Sequence, residues 1–289
     1  MSSAAPAHTP PPAVSAKGAY LLDGSAGGEL YAKAASTRRE MASTTKIMTA
    51  AVVLDTPGLD LDRKVKVKQS YRDYVFRHGA STADLQTGDR MTIRQLLYAL
   101  MLPSGCDAAY ALADTFGAGA TESSRTVSFI ARMNKKAAAL GMTNTRFDSF
   151  DGVSDSGANY STPKDLAKLA GTAMKVSTFR GVVKTTKITT GAPAANGNTR
   201  TYTWTNTNQM LSAYDGTLGI KTGTSTPAGP CLVFAAEREG RTVIGVVLNG
   251  ADRYPDAGKL LDYAFGTSLA QTEEFRSAVP AGEGRTAVG

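Results

Sequence analysis

The sequence predicts an α+β (α/β) fold: one antiparallel sheet flanked by helices, built from both termini, with a mostly helical region inserted between its two halves. Strand-like segments separated by glycine-containing turns lie near both ends of the chain, whereas helical periodicity dominates the middle. If the strands from both ends share one sheet, the intervening helices form a second body beside it. We expect a catalytic site in the groove between the two parts.

The first part of the chain is predicted to contain a strand hairpin and a buried helix. Residues 1–17 are rich in proline, alanine and serine and are predicted to be disordered. A hairpin is expected over residues 18–35, where two apolar strands flank a glycine-rich turn. The segment from Ser43 to Leu54 is apolar on nearly every side after its first turn, which is typical of a helix in the middle of a domain.

The middle of the chain is predicted to be mostly helical. One run with helical periodicity stops at Pro103, which cannot continue a helix. Gly141 is expected to end a longer helix, and Pro163 fits the first position of another. The predicted helices are Thr92–Leu102, Asp107–Phe116, Ser124–Leu140 and one that begins at Ser161 or Thr162.

The last part of the chain returns to strands before a closing helix. Two apolar segments joined by Glu239 and Gly240 are predicted to be neighbouring strands. The predicted strands are Cys231–Ala236 and Thr242–Leu248, and the closing helix is Asp256–Phe265. The predicted domains are an α/β domain of residues 18–62 and 152–267, a mostly helical domain of residues 63–151, and a flexible C-terminal tail of residues 268–289.

Composition agrees with one or two ordinary globular cores. The chain has 289 residues, 42% of them hydrophobic, and a formal charge of +7. The positive charge favours anionic surroundings such as cell-wall polymers. Nucleic acid is disfavoured as a partner because the basic residues are scattered and form no long run. No apolar run reaches the roughly 18 residues of a membrane helix.

The sequence contains no clear pattern for a cofactor site or for a disulfide bond. The acidic residues have no metal-ligand spacing, and the glycine-rich stretches lack the P-loop pattern, so neither a metal nor a nucleotide cofactor is predicted. The two cysteines could form one disulfide. We disfavour that bridge because Cys106 lies in a candidate site and Cys231 opens a buried strand.

Three short segments carry the chemical signal: Ser43-Thr44-Thr45-Lys46, Ser104-Gly105-Cys106 and Lys221-Thr222-Gly223. Taken singly, they are compatible with a helix cap, a turn and an exposed strand. A histidine-based serine triad is unlikely because the chain has only two histidines, neither of them inside a nucleophile motif. The three segments together predict a serine nucleophile whose base is a lysine.

A lysine base must be neutral when it accepts a proton. Burial or a nearby like charge favours the neutral amine, and a lowering of about 3 pKa units corresponds to roughly 4 kcal/mol. Lys46 follows Ser43 by three residues and is expected on the same face of the buried helix. The free N–H groups at the start of that helix could also face an oxyanion.

The order and spacing of these segments resemble those of the penicillin-recognising serine transferases. The chain is most similar to low-molecular-mass DD-transpeptidases and D-alanyl-D-alanine carboxypeptidases whose second motif is S-G-C. The stretches Leu102–Ala109 and Asn159–Leu166 share the resemblance, which extends from about Gly18 to Phe265. It implies the fold of the DD-peptidases and β-lactamases.

The resemblance implies a role for each motif residue. Ser43 would be acylated, Lys46 would accept its proton, Ser104 would relay a proton to the leaving D-alanine, and Lys221 would supply positive charge. Thr222 and Thr224 would bind the substrate's carboxylate, Cys106 and Gly223 would complete the substrate-binding set, and the N–H groups of Ser43 and Thr224 would form the oxyanion hole. Cys106 stands where most members carry asparagine, and a thiol is only a weak donor and acceptor.

The implied substrate is a peptidoglycan stem peptide ending in D-Ala-D-Ala, resolved from the enzyme by water or by an amine. β-Lactam antibiotics would acylate the same serine. An extracytoplasmic location is implied, the N-terminus lacks a signal-peptide core, and a monomer is expected. A β-lactamase is the first alternative, although no E-x-x-L-N pattern lies between Phe147 and Leu166. A non-catalytic β-lactam sensor domain is the second.

Overall fold

The structure is a computed structural model, and it describes residues 10–279. The strands in chain order are β1 (Gly18–Asp23), β2 (Glu29–Lys33), β3 (Arg39–Glu40), β4 (Lys64–Lys66), β5 (Arg90–Thr92), β6 (Tyr160–Ser161), β7 (Lys187–Pro193), β8 (Thr199–Thr205), β9 (Thr217–Ser225), β10 (Gly229–Arg238) and β11 (Arg241–Leu248). The α-helices are α1 (Lys46–Leu54), α2 (Gln69–His78), α3 (Ile93–Met101), α4 (Cys106–Phe116), α5 (Glu122–Ala139), α6 (Pro163–Ala173), α7 (Ser177–Lys184), α8 (Met210–Ala213), α9 (Arg253–Phe265) and α10 (Glu273–Ala278).

A five-stranded antiparallel sheet joins the two ends of the chain. Its strand order is β2-β1-β11-β10-β9, so β1 from the N-terminal part pairs with β11 from the C-terminal part. Glu239 and Gly240, both with positive φ, form the turn between β10 and β11. The predicted fold class is confirmed. Strand β9, which carries Lys221 to Thr224, lies at one edge of the sheet.

Both faces of the sheet are covered. Alternating side chains such as Leu21 and Phe234 point into a core shared with α9. Side chains of opposite parity such as Tyr20 and Val233 face the larger core, which includes α6 and α7. Neither face is left to solvent, which explains why the central strands are almost continuously apolar.

Helix α1 lies at the centre of the molecule, as its apolar sequence predicts. It packs against α3, α4, α5, α6 and α7, and eight of its nine residues are buried. The predicted start at Ser43 is wrong for the α-helix itself, because Ala42–Thr45 form a 3₁₀ turn and α1 begins at Lys46. A 3₁₀ turn has three residues per turn, so it brings side chains three apart almost into line. Ser43 and Lys46 are therefore aligned more closely than in an α-helix.

The predicted helices of the middle region, α3 to α6, have their observed ends within two residues of the predicted ones, whereas α2 was not predicted. Thr92 caps α3 through a capping box with Gln95, and α3 ends two residues before Pro103. Helix α5 ends before Gly141, which has a φ of 66°. Thr162 caps α6, with Pro163 at its first position.

The hairpin of β7 and β8 packs against the helical region. The indole N–H of Trp204 donates to the carbonyl of Ala83 (2.9 Å), and the hydroxyl of Tyr202 donates to Asp89 (2.7 Å). These contacts tie residues 187–205, assigned by the sequence to the α/β domain, to the helical one. The predicted domain boundaries stay a prediction. Among residues 10–279, no helix is both long enough and apolar enough to span a membrane.

Residues 10–17 and 268–279, which belong to the two chain ends predicted to be flexible, are folded. Val14 and Ala16 are buried, and the N–H groups of Ser15 and Ala16 each donate to the carboxylate of Asp256 (2.8 Å). At the other end, α10 buries Phe275 in the core beside α9. The predictions of disorder for residues 10–17 and of a flexible tail for residues 268–279 are wrong, because long-range contacts anchor these segments. The rest of both predictions, residues 1–9 and 280–289, lies outside the described residues.

Replacing Asp256 is expected to release the N-terminal segment. Asp256→Ala removes the acceptor of three hydrogen bonds, two of them from main-chain N–H groups, and leaves those groups without a partner. We expect the free energy of unfolding to fall by about 2–4 kcal/mol in urea titrations. Asp215→Ala, which removes an exposed carboxylate, is the control and should change it by less than about 0.5 kcal/mol. Equal stability of both variants would contradict the anchoring role.

Candidate active site

The three motifs meet in one place. The Nζ of Lys46 is 2.8 Å from the Oγ of Ser43 and 3.3 Å from the Sγ of Cys106, so the first two motifs are in direct contact. Strand β9 closes against the first motif at Gly223, where an added Cβ would lie 3.0 Å from the main-chain nitrogen of Ser43. Only glycine allows this approach without displacing the turn.

Lys46 is enclosed by acceptors. Its side chain is fully buried, and its Nζ donates to Ser43 Oγ, to Cys106 Sγ and to the main-chain oxygen of Asp151 (2.9 Å). Ser43 itself is 4% exposed. A serine hydroxyl and a lysine amine are therefore held at hydrogen-bond distance in a site that excludes most water, which is the geometry required of a nucleophile and its base.

The second motif forms a strained turn with an unpaired hydroxyl. Ser104 has a φ of 65°, a left-handed conformation that costs a non-glycine residue about 1–3 kcal/mol. Ser81 supports the turn, because its hydroxyl donates to the Ser104 carbonyl (2.6 Å) and its own carbonyl accepts from Cys106 N (2.9 Å). The buried Oγ of Ser104 forms no hydrogen bond with any other residue of the described chain. It is free to contact a substrate.

Cys106 is held as a neutral thiol. Burial raises the pKa of its thiol to about 12, and the charge of Asp151 adds to that effect. At neutral pH the group is therefore a protonated, weakly polar side chain packed against Lys46. Cys231 is also buried, and the two cysteines are both free.

The third motif places a second lysine beside the first. Lys221 is buried and its Nζ donates to the Thr222 carbonyl (2.9 Å). Burial, and then the charges of Lys46 and Arg253, hold the pKa of Lys221 well below its ordinary range. Burial therefore favours the neutral amine of Lys221.

The remaining residues of β9 are held by neighbours outside the motifs. The hydroxyls of Thr222 and Thr207 are 2.6 Å apart. The Nη1 of Arg253, the first residue of α9, donates to the Gly223 carbonyl (3.2 Å) and to the Thr224 hydroxyl (2.9 Å). These contacts fix the edge strand that faces Ser43.

Seven of the eight residues predicted for the site lie on these three segments, and the eighth, Thr224, directly follows the third. Their individual roles stay predictions. The oxyanion-hole role of the Ser43 and Thr224 N–H groups is compatible with the approach of β9 to the Ser43 nitrogen. No group of three or more histidine, cysteine or carboxylate side chains within residues 10–279 could hold a metal ion.

Five residues that contact the three motifs were not predicted from the sequence: Ser81, Asp151, Gly152, Thr207 and Arg253. Each acts through a contact with a residue far away in the sequence, so local spacing gave no signal for them. Gly152 offered the one local hint, as the glycine of an Asp-Gly turn.

Comparisons with known proteins agree with this geometry. The sequence model of the peptidase S11 family, described as D-alanyl-D-alanine carboxypeptidase, matches residues 4–252. A D-alanyl-D-alanine carboxypeptidase of Streptomyces sp. strain K15 is 53% identical over 258 residues, which cover 88% of each chain. The D-alanyl-D-alanine carboxypeptidase DacF of Bacillus subtilis is 33% identical over 86% of this chain and 62% of its own length.

The fold of this chain also agrees with that of a solved relative. The crystal structure of the Streptomyces K15 DD-transpeptidase superposes with a TM-score of 0.88 at 53% identity, covering 89% of this chain and all of that one. A buried serine-and-lysine pair beside the edge strand of an antiparallel sheet defines a class of acyl-transferring serine enzymes. Within that class, the chain belongs to the D-alanyl-D-alanine carboxypeptidase family, peptidase S11.

Proposed function

We propose that this serine DD-peptidase uses Ser43 to attack the carbonyl between the two D-alanines at the end of a peptidoglycan stem peptide. The observation that carries the proposal is the 2.8 Å contact between Lys46 Nζ and Ser43 Oγ inside a buried site. Relatives named D-alanyl-D-alanine carboxypeptidase and DD-transpeptidase supply the substrate class. The residue roles are those that the family resemblance implies, and the geometry is compatible with them.

Acylation moves one proton and breaks one bond. Lys46 takes the proton of Ser43 Oγ as the oxygen adds to the carbonyl carbon. The negative charge on the carbonyl oxygen is met by the N–H groups of Ser43 and Thr224, and one such donor is typically worth about 2.7–4 kcal/mol of barrier. As the C–N bond breaks, the Oγ of Ser104, which has no other partner among the described residues, passes its proton to the leaving amine of D-alanine and takes up in its place the proton that Lys46 received from Ser43.

Strand β9 would bind the substrate beside the nucleophile. The hydroxyls of Thr222 and Thr224 bind its terminal carboxylate, and Arg253 supplies positive charge behind them. Lys221, which the sequence predicted to supply positive charge, acts instead as a buried amine whose neutral form is favoured. Cys106 stands where most family members carry asparagine, so a thiol replaces a side-chain amide. We therefore expect this position to bind the substrate's peptide backbone more weakly. Water then releases a shortened peptide, or an amine forms a new peptide bond.

β-Lactams would imitate the dipeptide and stall as the acyl enzyme. Slow deacylation is expected because the sequence between Phe147 and Leu166 lacks the glutamate pattern that activates water in the related β-lactamases. We place the enzyme outside the cytoplasm, where its substrate is found, and expect it to act as a monomer.

Intact mass spectrometry after addition of excess benzylpenicillin tests the proposal. The parent protein should gain one drug mass that persists for at least minutes, and Ser43→Ala should gain none. Ser123→Ala, which removes an exposed serine on α5, should behave as the parent does.

The other outcomes separate the alternatives. Drug consumption without an adduct would make β-lactamase the better assignment. A lasting adduct without release of D-alanine from a D-Ala-D-Ala peptide, with or without an added amine, would favour the sensor domain. An adduct that also forms on Ser43→Ala would overturn the choice of nucleophile.

A further inference from the structure

The proposed reaction leaves one buried carboxylate beside the nucleophile without a role. Asp151 is fully buried, and its main-chain oxygen accepts the Lys46 amine (2.9 Å). Its Oδ1 accepts from the Ser149 hydroxyl (2.8 Å) and from the N–H of Val153 (3.0 Å). Its Oδ2, equally buried, forms no close hydrogen bond within residues 10–279, and the polar side chains that interact with the carboxylate are the Tyr74 hydroxyl and the Cys106 thiol. The side chain is thus only half satisfied.

The charge of this carboxylate reaches the residues around the catalytic amine. Together with burial it raises the pKa of Cys106, whose Sγ is 3.3 Å from Lys46 Nζ. It also raises the pKa of Tyr74 on α2 well above its ordinary range, although burial is the larger cause. Because the main-chain oxygen of the same residue is 2.9 Å from Lys46 Nζ, the carboxylate lies within electrostatic range of the Ser43 and Lys46 pair.

Support of the loop does not explain a carboxylate at this position. A neutral amide could accept the two hydrogen bonds at Oδ1, whereas a buried carboxylate oxygen without a partner is costly. A negative charge is favourable here because the buried Lys46 amine, which becomes an ammonium when it takes the serine proton, lies beside Asp151. The residue type thus fits an electrostatic role better than a purely structural one.

We propose that Asp151 is the positioning residue of the Ser43 and Lys46 pair, orienting the amine with its main-chain oxygen and stabilising with its carboxylate the ammonium that forms when Lys46 takes the serine proton. Nucleophile, base and a third group that orients the base are the general pattern of activated serine enzymes. None of the described hydrogen bonds of Lys46 goes to the carboxylate, so its effect is through space. The inference rests on the proposed function of Ser43.

The direction of the expected pH effect follows from the groups that face Asp151. Removing the negative charge favours the neutral amine, so the acid limb of the acylation profile moves to lower pH. A weaker base also accepts the serine proton less well, so the plateau rate falls. The titratable groups around the carboxylate are Lys46 on α1, Tyr74 on α2, Cys106 on α4, Lys221 on β9, and Asp155 with its neighbour His78 at the outer side.

The test is the second-order rate of acylation by benzylpenicillin, measured from pH 5 to pH 9. Asp151→Asn keeps the shape and the main-chain oxygen, and should lower the plateau about ten-fold while moving the acid limb about one pH unit lower. Asp262→Asn is the matched control, because it neutralises another buried carboxylate on α9, at the far face of the sheet. Its profile should coincide with that of the parent.

Each other outcome has a definite meaning. If the acid limb of the acylation profile does not move in Asp151→Asn, or moves to higher pH, the inference is overturned even if the plateau rate falls. If Asp151→Asn does not fold, Asp151→Ser takes its place; failure of both while Asp262→Asn folds would assign Asp151 to the fold alone and also overturn it. A parent protein that forms no adduct would overturn the proposed function, and the inference with it.

Discussion

Lys46→Met is expected to abolish acylation by benzylpenicillin while leaving the protein folded. General-base catalysis contributes about 10²–10⁴ in rate, and the site contains no second group within hydrogen-bond distance of Ser43 Oγ among the described contacts that could replace this amine. We expect the acylation rate to fall by about 10³. Stopped-flow or mass-resolved acylation at pH 7.5 measures the loss directly.

The same substitution should lower stability only moderately. Lys46 is fully buried, and methionine has a similar length, so the packing is largely kept. The main-chain oxygen of Asp151 loses its donor, and a buried acceptor left without a partner costs about 1–3 kcal/mol. Lys187→Met, which alters an exposed lysine on β7, should change neither rate nor stability. A Lys46→Met protein that still acylates at parental rate would eliminate Lys46 as the base.

Gly152→Ala is expected to damage both the fold and the site. Gly152 has a φ of 103°, and an added Cβ would overlap the Ala42 carbonyl oxygen and lie 2.8 Å from the Ser43 nitrogen. Main-chain atoms cannot move aside as a flexible side chain can, so the turn that carries the nucleophile must shift. Backbone strain and overpacking together should lower the free energy of unfolding by about 2–4 kcal/mol.

Activity should fall further than stability alone explains. Misplacement of a reacting group by about 1 Å can cost about 10² in rate, so we expect at least that loss in acylation by protein that remains folded. Gly157→Ala is the matched control in the same loop: it also has a positive φ, of 69°, but its nearest new contact is Glu40 Oε1 at 3.6 Å. Parallel effects of both substitutions would indicate that loop strain, rather than contact with the nucleophile turn, is responsible.

Local sequence was sufficient for the fold class and the three motifs. Alternation and turn glycines identify β10 and β11, capping residues and prolines identify α3 and α6, and the apolar run after Ser43 identifies the central helix. These signals depend on neighbours within about four residues, so one sequence contains them. The family resemblance is carried by the same short segments and is confirmed.

The tertiary structure alone decided which groups surround the motifs. Asp151 reaches Lys46 across 105 residues of chain, and Arg253 reaches Thr224 across 29. The folding of residues 10–17 depends on Asp256, which lies about 240 residues further along the chain. The sequence by itself therefore determined the sheet, the central helix and the nucleophile with its lysine. The charges around the nucleophile and its lysine, and the anchoring of the chain ends, were decided only by the tertiary structure. Hydrogen bonds and buried charges between distant residues produce no pattern in the local sequence.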